Sequence, residues 1–221
     1  MINSFSIKEV VNNAFELTKK HFWILAGASF ISIAISLIFG YVVDFVNPID
    51  PITQKVNFSI ISFILILISL AIGIALSYNI TKMNLSAVSG GMPKLKDVLN
   101  KIDIKNISIW FLIYLIYVFI VFIGLILFII PGIYLMLRYM FVFYLVIDKN
   151  LSIKESFARS TKMTVGIKWN LLGLTALVGL VNIVAIPLLI IFPPYIELVF
   201  IPVYIFTSFI FVVLYKKLSN A

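Results

Sequence analysis

The chain has 221 residues, 62% of them hydrophobic and 12% charged, with a formal net charge of +8 and no cysteine; its mean hydropathy is +1.16. Soluble domains are roughly half apolar and about a quarter charged, so a water-soluble fold is excluded, and the lack of cysteine excludes disulfides, thiolate chemistry and Cys-held zinc or iron–sulfur centres. The basic excess does not gather into one module with interleaved aromatics, which excludes a nucleic-acid interface.

Uncharged runs cover 22–43, 56–81, 106–137 and 169–196. Each reaches the roughly 18 residues of a spanning candidate, and the two longest runs toward the C-terminus each need a reversal. The sequence therefore predicts an all-α integral membrane protein, a single transmembrane domain over residues 1–221 with six transmembrane helices. The first apolar run begins only at Phe22 and has no small-residue cleavage site after it, so the first span is expected to act as its own insertion signal.

In chain order, Ser6 to Lys20 predicts an amphipathic helix lying in the headgroup region. Ser6 and Glu9 form a capping box, Ile7, Val10, Val11, Ala14 and Phe15 make one apolar stripe, and Glu16 is placed to pair with Lys20. The lone His21 beside Lys20 reads as an interfacial anchor rather than a metal ligand or base. The first span, about 22–43, carries Ala28, Ser32, Ser36 and Gly40; the second, about 56–81, carries Ser69, Gly73, Ser77 and Thr81. Small residues at every fourth position let helix backbones approach closely in lipid, which predicts that these two spans pack through the stripes. Between them Asn47 to Asn57 is rich in turn formers and reads as an aqueous loop.

From Lys82 to Asn106 a second amphipathic helix is predicted, with Leu95, Val98, Leu99 and Ile102 as its stripe behind Pro93. The third span follows over about 107–130, and Pro131-Gly132 is read as the reversal point. The fourth span, 133–147, would be only about 22 Å long at 1.5 Å per residue, against a hydrocarbon core of about 30 Å. A third amphipathic segment over 150–166 opens on another capping box, Ser152 and Glu155. Ile153 and Phe157 begin its apolar face, and Glu155 lies four residues before Arg159. The fifth span runs over about 169–192, Pro193-Pro194 turns the chain, and the sixth covers 195–215 before Lys216 and Lys217 stop it.

Ser6 to Glu9 and Ser152 to Glu155 are the same tetrapeptide, and a tryptophan stands 17 residues after each serine, Trp23 and Trp169; Pro93 stands 17 before Trp110. These spacings predict three repeats of amphipathic helix plus transmembrane hairpin, over about 6–82, 93–148 and 152–217, with the stripe of the second unit shifted by one residue. Of the 17 basic residues, 15 fall on the side of the amphipathic helices, leaving Lys55 in an opposite loop and Arg138 within a span. The positive-inside rule then places both termini and all three amphipathic helices in the cytoplasm of a cell-membrane, multi-pass protein. The bilayer, with anionic headgroups at its cytoplasmic face, is the expected partner, with room for a protein partner on the same surface.

Arg138 is the sharpest chemical signal, because a charge within a span costs about 2.5–3.5 kcal/mol on insertion scales and usually faces a partner or a wet cavity. Glu197 stands 45 residues past Ser152, as Arg138 stands 45 past Pro93, which makes it the expected counterpart. Three readings stay open: an ion pair orienting the fourth span against the sixth, a cavity in which Arg138 holds an anionic headgroup or carboxylate, and snorkelling to the outer surface. Asn182 in the fifth span fits an interhelical hydrogen bond or a ligand contact. One histidine, no cysteine and few intramembrane acids give no nucleophile–base constellation and no metal-ligand pair, so neither enzyme activity nor a cofactor is expected.

The run Ile130-Pro131-Gly132-Ile133-Tyr134-Leu135, then Arg138-Tyr139, Val146-Ile147-Asp148, Ser152 to Glu155 and Arg159-Ser160, resembles prokaryotic polytopic membrane proteins without assigned activity. That group is similar to the membrane domain of some glycerophosphoryl diester phosphodiesterases. The likeness covers about 40 residues well and rests on Pro131, Gly132, Asp148, Glu155 and Ser160; the chain departs from it in having Ser156-Phe157 where an alanine commonly follows the glutamate. The soluble phosphodiesterase domain has no counterpart, so the resemblance implies a membrane scaffold in a lipid context and not hydrolase activity. Two functions follow from the residues. One is small-molecule or lipid transport or handling through a partly polar centre at Arg138, Glu197 and Asn182. The alternative is a structural or adaptor protein whose basic helices bind anionic lipid or a cytoplasmic partner.

Overall fold

The computed structural model describes residues 5–46, 59–99, 104–191 and 196–220. Every regular element among them is a helix, the form that satisfies its own backbone hydrogen bonds without water. The order is α1 (Ile7–Val46), α2 (Ile60–Val88), a short 3-10 helix (Leu95–Leu99), α3 (Ile104–Leu127), α4 (Ile129–Tyr139), α5 (Val142–Lys149), α6 (Ile153–Met163), α7 (Lys168–Ile191) and α8 (Ile196–Ser219). Five stretches are long and apolar enough to cross a membrane, α4 and α5 counting as one, and α6 with α7, bent by 99°, makes a sixth if taken as a broken span. The chain is thus an all-α protein built to cross a membrane several times.

The first predicted amphipathic helix does not stand apart from the first span: the two form one uninterrupted helix of 40 residues. Neither proline nor glycine interrupts it before Gly27, and its stripe is partly covered by protein, with Phe15 half exposed. Val10, Ala14, His21 and Leu25 are buried, and α8 runs antiparallel along them. Phe15 meets Phe206 edge-on at 6.2 Å and His21 lies 6.5 Å from Phe209, while Lys217 pairs with Glu9. Glu16 pairs with Lys19, at 3.2 Å, and not with Lys20.

The second amphipathic segment is a 3-10 helix of five residues in place of the predicted α-helix. Asp97 accepts the Lys94 N–H at 2.8 Å and closes a tight turn behind Pro93. Of the predicted stripe Val98 is buried, Leu95 and Leu99 are exposed, and Ile102 lies outside the described residues, as do the Asn47 to Asn57 loop and the Pro193-Pro194 turn. Asn79 of α2 holds this turn by donating to the Val98 carbonyl at 2.8 Å.

The chain reverses at Phe128, extended at φ −162°, and not at Pro131-Gly132. Pro131 lies in the first turn of α4, where its missing N–H would have no intrahelical partner anyway. Gly132 is buried against α3. A Cβ there would overlap the Leu125 side chain and stand 2.8 Å from the Leu125 backbone nitrogen, and one on Gly124 would come within 2.9 Å of the Gly132 Cα. The fourth span is accordingly longer than predicted: Ile129 to Lys149 is 21 residues, or about 31 Å, interrupted at Met140-Phe141.

α1 packs on α2, yet of the predicted stripes only Ala28 is fully buried, and Ser36, Gly40 and Ser77 are exposed. Among the described residues, no atom from a neighbouring segment would come within 4 Å of a Cβ on Gly40 or Gly73. The main apolar core gathers residues of α1, α2, α5, α7 and α8 around Phe141, Phe209, Leu214 and Tyr215.

Candidate functional site

The interruption between α4 and α5 is the polar centre of the molecule. Breaking a helix strands backbone groups that must find other partners when buried, and α6, folded back beside α5, supplies them. Fully buried Ser160 donates to the Arg138 carbonyl at 2.9 Å and accepts from the Phe141 N–H at 3.3 Å. Thr164, also buried, donates to the same carbonyl at 3.4 Å.

The Arg138 side chain is half-buried at this corner. Its Nε donates to Thr161 Oγ1 at 3.2 Å, and its guanidinium lies 5.4 Å from the Tyr139 ring. Among the described residues it takes part in no ion pair, and the Glu197 side chain lies outside them. The nearest turn of α4 carries Tyr134, over whose ring Lys168 Nζ sits at 4.6 Å. Tyr134 and Arg138 are four residues apart on α4; Lys168, at the start of α7, lies over the Tyr134 ring, while Arg138 lies by that of Tyr139.

Asn182 does not join this centre. Its amide donates to the Val178 carbonyl of its own helix at 2.8 Å, where an interhelical bond was expected. Asp148, at the end of α5, ties the helix ends together: its carboxylate pairs with Lys216, accepts from the Tyr215 hydroxyl at 2.8 Å and lies 3.6 Å from Lys149. With the Glu9 and Lys217 pair, this gathers the start of α1, the end of α5 and the end of α8 in one place. Among the described residues no group of three His, Asp or Glu side chains could hold a metal ion.

Two polar contacts were not anticipated from the sequence. Asn79 anchors the 3-10 turn, and buried Asn84 donates to Ser208 on α8 at 2.7 Å. Both are asparagines late in an otherwise apolar helix, a signal that weighs an interhelical bond above a ligand.

The capping box on α6 is complete. Ser152 Oγ accepts from the Glu155 N–H at 3.4 Å, and the Glu155 carboxylate accepts from the Ser152 N–H at 3.0 Å and its hydroxyl at 2.6 Å; it turns back to the cap and makes no ion pair with Arg159 among the described residues. The Ser152 hydroxyl, and then its backbone N–H, hold the Glu155 carboxyl below the usual glutamate value. Because the folded value is depressed, the cap contributes fully above the ordinary glutamate range and is lost as pH falls through the lowered value. Amide exchange, corrected for intrinsic rates, is expected to show the first turn of α6 losing protection on that acidification in the wild type. In Glu155→Gln the same turn should show no pH-dependent change; a parallel response in both proteins contradicts the linkage.

The chain matches no family model, no curated protein and no solved structure.

Proposed function

We propose that this protein handles an anionic lipid, binding the phosphate-bearing headgroup at the Arg138 corner. The observation that carries the reading is a half-buried guanidinium without an ion pair among the described residues, beside Thr161 and one helical turn from Tyr134, whose ring Lys168 covers. A charge kept at that depth is costly unless something of opposite sign meets it. In this reading the chain resides in the cell membrane with both termini and the lysine-rich ends in the cytoplasm, and its plan is three uses of an amphipathic helix plus hairpin. The two identical tetrapeptides support the repeat, since Ser6 accepts from the Glu9 N–H at 3.4 Å as Ser152 does from Glu155. Against an exact repeat stand the tryptophans: Trp23 and Trp169 are exposed, whereas Trp110 packs edge-on between Tyr78 and Phe143. The likeness to the membrane domain of glycerophosphoryl diester phosphodiesterases fits a lipid substrate without implying hydrolysis.

Native mass spectrometry of the full chain released from phosphatidylcholine nanodiscs containing phosphatidylglycerol tests the site. Arg138→Gln is expected to lower phosphatidylglycerol retention about fivefold, the effect of one basic residue, with Lys168→Gln adding to it. Equal retention by the folded double variant rejects the proposal.

One observation favours an adaptor role as the second reading. A groove of about 550 Å³ between α6 and the end of α8 is lined by Leu151, Glu155, Arg159, Lys162, Met163 and Leu218; with Glu155 turned back to its cap, the two basic residues and the apolar ones suit an acidic amphipathic segment. Retention unaffected by Arg138→Gln but reduced by Arg159→Gln with Lys162→Gln would shift the assignment to this groove.

A further inference from the structure

Ser29 of α1 is 7% exposed and, among the described residues, its hydroxyl has no hydrogen-bond partner. Ser32, on the next turn, closes onto the Ala28 carbonyl at 3.2 Å, whereas the Ser29 hydroxyl stays open. A buried polar group left unmet is destabilising. Ser29 lines a cavity of about 310 Å³ between α1, α2 and α8, together with Ser32, Ser77, Tyr204, Ile80 and Ile201.

We propose that this cavity is a second lipid site, independent of the Arg138 corner, that takes the uncharged glycerol-ester region of a neutral glycerolipid of the diacylglycerol class. The polar groups among the described lining residues are three serine hydroxyls and one phenol. Hydroxyls donate to and accept from ester and alcohol oxygens, whereas a charged headgroup would lose its hydration and gain no counter-charge from these residues. The size agrees: the space equals roughly ten water volumes, enough for a glycerol bearing two esters and too little for two acyl chains. The chains have a way out. Ser77 and Tyr204 are exposed lining residues that lie well inside the apolar helices α2 and α8, so the mouth opens sideways toward hydrocarbon. The lipid then enters from the bilayer, with its chains remaining in it and its oxygens meeting Ser29 and Tyr204.

The test is photolabelling of the full chain in phosphatidylcholine nanodiscs with a diacylglycerol carrying a diazirine near its ester end, followed by peptide mapping. Labelling is expected on α1, α2 and α8 around the cavity. The double variant Ser29→Ala with Tyr204→Phe keeps the shape and removes two hydroxyls, and it should cut that labelling about tenfold, while Arg138→Gln leaves it unchanged. Unaltered labelling in the folded double variant overturns the proposal. So does equal competition by an alkane, which would mean a hydrocarbon crevice, or by phosphatidylglycerol, which would mean no preference for an uncharged lipid. Should the double variant fail to fold, Ser77→Leu at the exposed mouth serves instead: it is expected to block labelling, and undiminished labelling overturns the site.

Discussion

Replacing Gly132 with alanine is expected to destabilise the protein by about 3 kcal/mol, the upper part of the range for overpacking a close contact. Helix propensity alone predicts the opposite sign, since alanine is favoured over glycine inside a helix by up to about 1 kcal/mol. Sterics win because the added methyl would overlap the Leu125 side chain and lie 2.8 Å from a backbone nitrogen, and a backbone cannot step aside as a side-chain tip can. Gly124→Ala should behave alike, its methyl reaching within 2.9 Å of the Gly132 Cα. Gly40→Ala and Gly73→Ala are the controls: among the described residues no atom from elsewhere would lie within 4 Å of the added methyl, so they should be neutral or mildly stabilising. Thermal unfolding in detergent micelles measures all four, and a Gly132→Ala midpoint at or above the Gly40→Ala midpoint would refute the α3–α4 packing described above.

The second large effect is expected at Ser160. Its hydroxyl serves two backbone groups at the break in the fourth span, and alanine would leave the buried Phe141 N–H without a partner and the Arg138 carbonyl with only the longer bond from Thr164. An unmet buried donor costs about 1–3 kcal/mol, so Ser160→Ala is expected to lower stability by about 2 kcal/mol. Ser156→Ala makes the comparison: that serine is equally buried on the same helix, but among the described residues its hydroxyl has no partner to lose. If unfolding in detergent gives the two variants the same midpoint, Ser160 does not hold the interruption together.

Much of the local organisation could be read from residue order. The apolar runs announced helices, Ser152 and Glu155 announced the start of α6, and Ser6 with Glu9 announced the start of α1, because a cap involves residues three apart and needs no distant partner. The same local reasoning failed where neighbours in space compete. An apolar stripe such as Val10 and Ala14 is equally suited to headgroups and to a packed helix; α8 occupies it, so the expected in-plane helix became the lower part of α1. Pro131-Gly132 has the composition of a turn, but the glycine is there for contact with α3 and the turn moved to Phe128.

The site divides along the same line. Arg138 stood out in the sequence because an ionised group among apolar residues is expensive wherever it ends up, and Asp148 and Ser160 stood out as parts of a motif without a stated task. Their tasks join residues 22 and 68 positions apart, Ser160 with Arg138 and Asp148 with Lys216, and the unmatched hydroxyl of Ser29 became visible only once three helices were placed around it. The sequence by itself determined the solvent this protein folds in, its helical form and the caps, since hydropathy and capping act within a turn or two of chain. Only the tertiary structure decided which small residues touch and which polar groups meet, because those outcomes depend on the rotation and depth of each helix against partners that lie far away in the chain.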